Sequence, residues 1–342
     1  MKQRNHAFDF LCGICIIRMM VHHFTSACGF ANTDWWTTIM HWSFYFMSFF
    51  FFKAGYFNKT TSGDTHEYVI DKTKRLLVPY FVWGWIGCAV YFFFCAFILD
   101  SNNALVRDIK WEHLWSTSQF YGNVPCWFLF SFYISYLAMH FIGKVRRLHW
   151  AVLVFPFISY GLYKVGNPLW FSLNNVFMGI FLFFLGRLWH ISLDKMKRNL
   201  SISVSIALII SFVILNQIVG GEYVMSDNIW KGNPIYTILG IVFALCGISG
   251  LLLSVNVPRI PVINYIGEHS MVFFVAHYPL MMIYKMTRSA AVHSLRNHWD
   301  DWFILVVFIF IICFLLVPYV ENIPWLSGRF PKKTKVTQCK LQ

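Results

Sequence analysis

The sequence has few charged residues. Only 13% of its 342 residues are Asp, Glu, Lys or Arg, and just 15 residues are acidic. Soluble domains carry about twice that charged fraction. Apolar residues make up 58% of the chain, and its mean hydropathy is +0.55. This balance excludes an ordinary soluble enzyme and favours a polytopic membrane protein.

Several other features are also missing. There is no internal repeat and no low-complexity tract, and no cluster of His and Cys residues suggests a metal site. Most of the nine cysteines lie in apolar stretches, where we expect small buried residues rather than disulfides. The sequence therefore predicts no metal and no permanently bound cofactor. No small-residue cleavage site follows the basic N-terminus, so we interpret the first apolar stretch as a retained helix.

Long apolar stretches recur along the whole chain. A helix needs about 17–25 apolar residues to cross a bilayer. Suitable stretches are residues 7–28, 38–57, 77–99, 124–143, 149–165, 172–191, 201–219, 235–255, 266–288 and 301–320. The predicted fold is all-α, a polytopic membrane helix bundle of about ten transmembrane helices. Residues 1–328 form its membrane domain, and residues 329–342 form a basic cytoplasmic tail that contacts anionic lipid.

The basic residues are unevenly distributed. The net charge is +13, which by itself would suit a nucleic-acid partner. However, most Lys and Arg residues fall in alternate loops, as the positive-inside rule requires of a membrane protein. This pattern argues against nucleic acid and predicts that both termini are cytoplasmic. Asp9 then lies near the inner surface, and His23 lies towards the outer one.

The first apolar stretch contains four ionisable groups, although such groups are costly inside a membrane. At 100° and about 1.5 Å per residue, Asp9 and His23 share a helix face but lie about 21 Å apart along the axis. Arg18 and His22 fall on the opposite face. The stretch is therefore a candidate functional site, and the alternative is a buried, hydrogen-bonded histidine without chemistry.

The pattern of Asp9, Gly13 and His23 resembles the first helix of the acyltransferase 3 family of membrane acyltransferases. That helix carries an Asp, then a basic residue, and a His fourteen residues after the Asp. Here Cys12 replaces the basic residue. The next stretch resembles the family's aromatic run, which is followed by Ser-Gly-Tyr-Phe. The matching residues are Gly55, Tyr56 and Phe57, and Ala54 stands in place of the Ser. We interpret Lys53 in this run as a lysine that snorkels to the inner surface.

Lys72 and Arg75, followed by Pro79, resemble the family's basic pair and proline. Residues three apart share a helix face, and such a pair can bind phosphates. The alternative is an ordinary positive-inside anchor.

Three later elements also resemble the family: Trp127-Phe128-Leu129, an aromatic run between Gly179 and Gly186, and Ser270 with His277 in a late signature. Helix packing is the alternative explanation for each.

The resemblance implies an O-acyltransferase of the bacterial cytoplasmic membrane. Its donor would be acyl-CoA, most simply acetyl-CoA, and its acceptor a hydroxyl of a cell-envelope glycan or glycolipid. Lys72 and Arg75 would bind the donor phosphates, and Asp9 would orient that donor site. Trp127, Ser270 and His277 would support the substrates or the structure. The expected partners are thus acyl-CoA, the acceptor and membrane lipids, with no nucleic acid.

His23 is the predicted general base, because a histidine with a pKa of about 6.5 can take the proton of a sugar hydroxyl. A transient acyl-His23 is the alternative mechanism. The alternative function is a transporter or carrier of a glycan or lipid-linked sugar, since buried ionisable groups also suit proton-coupled carriers. The sequence shows no inverted repeat to support that alternative.

Overall fold

The computed structural model describes residues 5–58, 64–97, 111–145, 148–255, 257–291 and 299–331, and most of these residues are helical. The helices of the first half are α1 His6–Ala27, α2 Asp34–Trp42, α3 Ser48–Phe57, α4 Thr65–Lys72, α5 Val78–Phe97, α6 Trp111–Thr117, α7 Trp127–Lys144, α8 Leu148–Ala151 and α9 Phe155–Lys164. The second half contains α10 Leu173–Lys195, α11 Arg198–Ile218, α12 Pro234–Ser254, α13 Pro261–Glu268, α14 Ser270–Ala291, α15 Trp299–Asn322 and α16 Pro324–Ser327. A π-helical turn, Thr73–Leu77, joins α4 to α5. An antiparallel hairpin, β1 Glu222–Val224 and β2 Ile229–Lys231, separates α11 from α12.

Within the described residues, seven helical segments are long and apolar enough to cross a membrane. They are His6–Ala27, Thr65–Phe93, Val124–Lys144, Leu173–Lys195, Arg198–Ile218, Pro234–Ser254 and Trp299–Asn322. The chain therefore forms an all-α membrane helix bundle, as the sequence predicts. The count of ten spans stays a prediction.

The other three predicted stretches are not single uniform helices. Residues 38–57 are divided between α2 and α3, and residues 149–165 between α8, a 3₁₀ turn and α9. Residues 266–288 begin in α13 and continue in α14. The turn between α2 and α3 lines an internal cavity, which is where a membrane protein tolerates irregular backbone. The length of an apolar stretch alone does not show whether its helix is interrupted.

The first and last long helices run antiparallel. At one end of the bundle, the glycine before Glu268 packs against the backbone of Asp9, and His269 Nδ1 lies 2.6 Å from the Glu321 carboxylate of α15. At the other end, the indole of Trp302 donates to Thr25 Oγ1 at 3.1 Å. We name these the Asp9 end and the His23 end.

The predicted membrane orientation rests partly on residues outside those described. Lys2, Arg4 and the tail from residue 332 onwards belong to this group. The cytoplasmic position of both termini and the division at residue 328 therefore stay predictions. The cysteines that the structure describes fully are free and buried, which agrees with their predicted role as small apolar residues.

Helices α3 and α10 approach each other closely through two glycines. A Cβ at Gly55 would overlap the carbonyl oxygen of Phe183, and a Cβ at Gly186 would overlap that of Phe52. Small residues allow such backbone contact between membrane helices. Gly55 and Gly186, which belong to the family resemblance in the sequence, therefore have a packing role. This contact also holds α3, which carries Lys53, firmly in the bundle.

Gly55→Ala is expected to lower the free energy of unfolding by about 1–3 kcal/mol or more, because the added methyl group overlaps backbone rather than a movable side chain. Gly143→Ala is the matched control, since a Cβ there meets nothing within 4 Å. The control should be neutral or slightly stabilising, because alanine favours a helix over glycine. Thermal unfolding in detergent compares the two, and equal melting temperatures would contradict this packing role.

Candidate functional site

A cavity of about 300 Å³ lies at the His23 end of the bundle. Its walls come from α1, from the turn between α2 and α3, from the start of α7, and from the β-hairpin. The lining includes Arg18, Met19, His22, His23, Met40, Phe44, Phe46, Met47, Gln119, Val124, Pro125, Trp127, Glu222, Tyr223, Val224, Met225, Ser226, Asp227 and Phe274. We call it the outer cavity. Two predicted site residues, His23 and Trp127, therefore share one cavity.

The structure also brings His277 of α14 beside His23. Their ring centres lie 5.3 Å apart, and the Tyr278 ring stands edge-on to His23 at the same distance. His277 is fully buried, and its Nδ1 lies 2.8 Å from the carbonyl oxygen of Phe274. Because a carbonyl oxygen only accepts, Nδ1 carries the hydrogen and donates it. The lone pair is then on Nε2, which has no partner among the described residues.

His22 and Arg18 line the same cavity, which the helical face assignment did not predict. Adjacent residues differ by only 100° around a helix, and the cavity is wide enough to meet both. His22 stacks on Trp36 at 5.9 Å. The Arg18 guanidinium lies 3.6 Å from the centre of the Phe46 ring, and within the described chain its buried Nη1 has no hydrogen-bond partner.

A second cavity, of about 180 Å³, lies nearer the Asp9 end. We call it the inner cavity. Its lining is almost entirely apolar: Ile16, Phe50, Leu76, Phe128, Leu129, Phe132, Ser270, Met271 and Phe274. Phe274 belongs to both cavities. Along α1, Ile16 lines the inner cavity and Met19 and His23 line the outer one, on one stripe of the helix.

A third, polar depression of about 200 Å³ shares Ser226 and Asp227 with the outer cavity. We call it the polar cleft. Its other lining residues carry hydroxyl or amide groups: Ser116, Thr117, Asn167, Ser172, Asn174, Asn175 and Asn228. Asn175 is fully buried, and its Nδ2 has no partner in the described part of the chain. The sequence did not predict this cleft, because its residues come from four separate segments of the chain.

Lys72 and Arg75 both lie at the Asp9 end, but their side chains have different partners and do not form one phosphate-binding pair. The Lys72 ammonium sits 4.1 Å from the centre of the Tyr136 ring, while Arg75 pairs with Asp71 at 2.8 Å and is half exposed. The π-helical turn that begins at Thr73 changes the angle between the two residues, and such turns are frequent at functional sites. The shared face expected from regular helical spacing is therefore wrong in detail, although Leu76 beside Arg75 reaches the inner cavity.

Asp9 is only 4% exposed. Its carboxylate lies with His6 and Glu268, and the possible ligand atoms of these three residues fall within 4.8 Å of one another. Glu268 also pairs with Arg259 at 3.1 Å. The sequence did not predict this group, because Glu268 comes from the other end of the chain. The ligand atoms of this group could hold a cation. The group lies at the Asp9 end of α1.

Long apolar helices that enclose a histidine-lined cavity define a multi-pass membrane protein with a buried site. A family model described as an acyltransferase domain, that of the acyltransferase 3 family, matches residues 5–318. The chain belongs to this family, and the resemblance found in its sequence is confirmed. No curated protein and no solved structure matches the chain. The protein is therefore a membrane acyltransferase of the general kind.

Proposed function

We propose that the protein moves an acyl group, most simply acetyl, from acyl-CoA to a hydroxyl of a cell-envelope glycan or glycolipid. The observation that supports this best is the arrangement of the two cavities along α1. An almost entirely apolar cavity nearer the Asp9 end adjoins a larger cavity that contains His23 and other polar groups, and Phe274 lines both. Such an arrangement suits a donor that enters from one end and an acceptor that enters from the other.

In the proposed reaction, the acceptor hydroxyl oxygen attacks the thioester carbonyl carbon. His23 takes the hydroxyl proton as the new C–O bond forms, which contributes about 10²–10⁴-fold to the rate. The C–S bond then breaks, and the thiol of CoA leaves with a proton returned by His23. A histidine that forms a transient acyl intermediate would give the same products. His277 and Tyr278 pack against the ring and fix its position.

The polar cleft supports a glycan acceptor. Its hydroxyl and amide groups match the donors and acceptors of a polyhydroxylated ligand. The unpartnered Nδ2 of Asn175 gains a hydrogen bond if a sugar hydroxyl occupies the cleft. Because Ser226 and Asp227 line both spaces, one sugar unit can lie in the cleft while its neighbour presents a hydroxyl to His23.

Lys72, Arg75 and Asp9 form the proposed donor end. In this proposal the two basic residues meet the donor phosphates, and Asp9 holds the surrounding groups in place without taking part in proton transfer. The Asp9 end faces the cytoplasm of a bacterial cell, where acyl-CoA is made. The family match favours this enzyme over the transporter that the sequence left as an alternative.

Replacing Lys72 and Arg75 together by alanine is expected to raise the KM for acyl-CoA about tenfold or more, with a smaller fall in kcat. The reason is the loss of charge-assisted hydrogen bonds to phosphate. Lys195→Ala with Lys197→Ala removes an exposed basic pair where α10 ends, at the same end of the bundle, and serves as the control. An unchanged donor KM with a weakened acceptor would contradict the donor assignment.

The proposed function is tested with purified protein in detergent and radiolabelled acetyl-CoA. We expect label to move from CoA to glycan or glycolipid fractions of a bacterial envelope. Transfer needs no sealed compartment, whereas transport does. If no fraction accepts label but sealed vesicles accumulate an unmodified sugar, the transporter is correct and the acyltransferase assignment of this chain fails.

A further inference from the structure

Lys53 is a cation inside the bundle with a weak partner. It follows an aromatic run on α3, and its Nζ lies 2.8 Å from the Sγ of Cys12 on α1. Cys12 is only 1% exposed, so the ammonium points between two helices. Lys53 itself is only partly buried, so its expected snorkelling to the inner surface stays a prediction. A thiol sulfur is a weak acceptor, and a cation inside an apolar segment is costly unless it has a stronger partner.

Lys53 lies at the Asp9 side of the inner cavity. Cys12 begins the stripe of α1 that continues through Ile16 into the inner cavity and through His23 into the outer one. On α3, Phe50 lines the inner cavity, one turn before Lys53. The ammonium therefore lies at the height along α1 where the inner cavity begins. From there, the inner and outer cavities lead towards His23. A neutral chain can pass beyond this level, and an anionic group can stop there.

The length of the route matches one part of acyl-CoA. Cys12 and His23 are eleven residues apart, or roughly 16 Å along a helix axis at ~1.5 Å per residue. The pantetheine arm, from its sulfur to the first phosphorus, contains about thirteen bonds and spans roughly 15 Å when extended at ~3.5 Å per three bonds. A thioester at His23 therefore brings the pyrophosphate to the level of Lys53.

We propose that Lys53 is a direct ligand of the donor pyrophosphate, supplied by α3 at the position where α1 has Cys12. This inference rests on the proposed function, because it needs acyl-CoA as donor. The phosphate replaces the thiol as the partner of the ammonium. Lys53 is a binding residue in this account and takes no proton during transfer.

The test measures binding of CoA and of pantetheine, which lacks the pyrophosphate and the nucleotide, to the purified full chain in detergent. Wild type should bind CoA more tightly than pantetheine. Lys53→Met should lower CoA affinity about tenfold or more, as expected for one charge-assisted hydrogen bond. Pantetheine affinity should stay within about twofold. Lys53→Arg should keep the preference for CoA.

A second variant moves the positive charge from α3 to α1. If it regains CoA affinity, the loss in Lys53→Met is not a result of misfolding. Lys53→Met combined with Cys12→Arg carries the positive charge on α1 instead of α3, and we expect it to regain most of the CoA affinity. Lys195→Met, an exposed lysine at the same end of the bundle, is the control and should bind CoA like wild type.

The outcomes separate this inference from the proposed function. Wild-type CoA affinity in Lys53→Met, with a folded protein, overturns the role of Lys53 and leaves the donor assignment intact. Equal losses for CoA and pantetheine show a packing defect and also overturn it. Failure of wild type to bind CoA at all overturns the donor assignment, and the inference falls with it.

Discussion

Replacing His23 with alanine is expected to lower the rate of acyl transfer at saturating substrates by about 10²–10⁴-fold, the usual contribution of a general base. His23 lines the outer cavity and stands against His277 and Tyr278. The KM for acyl-CoA should change little, because the proposed donor site lies mainly at the other end. Steady-state transfer and a melting curve in detergent measure both effects.

His22→Ala is the matched control, since it removes a histidine from the same cavity one position earlier. His22 stacks on Trp36 and makes no contact with His277 comparable to that of His23. Its loss should cost less than about tenfold, the effect of altered packing rather than of a missing base. Equal losses for both variants would mean that the wrong histidine has been assigned the proton transfer.

Ser270→Phe is expected to abolish most transfer by obstructing the inner cavity. Ser270 is one of nine residues around a space of about 180 Å³, and a phenylalanine side chain at this position extends into that space. The acyl chain of the donor then cannot reach His23. Since the outer cavity does not include Ser270, glycan binding should persist. We expect a donor KM raised at least about tenfold and acceptor affinity within about twofold of wild type, in line with the loss of a binding channel.

Ser203→Phe provides the control for added bulk, because Ser203 is exposed on α11 and lines neither cavity. It should transfer acetyl groups at the wild-type rate. If Ser270→Phe also retained full activity while remaining folded, the donor would have to reach His23 by another route. The continuous passage through the bundle would then be wrong.

Much of this architecture could be predicted from the sequence because it depends on local properties. Apolar length predicted the all-α bundle and located the seven segments that, among the described residues, are long and apolar enough to cross a membrane. The spacing of residues along α1 predicted that Asp9 and His23 share one helix face. However, spacing within one helix cannot say what lies on another. His277 was predicted only as part of a late family signature, and neither its contact with His23 nor the group of His6, Asp9 and Glu268 was predicted.

The features that the sequence did not predict come from breaks in regular structure and from pairing between distant segments. A π-helical turn separates the environments of Lys72 and Arg75. The hairpin around Tyr223 and Trp230 lies between two predicted spans and was not predicted, although both side chains are buried and residues of the hairpin line the outer cavity. Cys12 was read as the loss of a basic residue, yet Lys53 places an ammonium beside it.

The central claim is that the acyl group passes through the bundle from the Asp9 end to the His23 end. Proteoliposomes of known protein orientation test it most directly, with radiolabelled acetyl-CoA on one side and the glycan acceptor sealed on the other. We predict labelled glycan only when CoA faces the Asp9 end and the acceptor faces the His23 end, and no label with His23→Ala. Labelled product that forms only when donor and acceptor share one side would contradict the account.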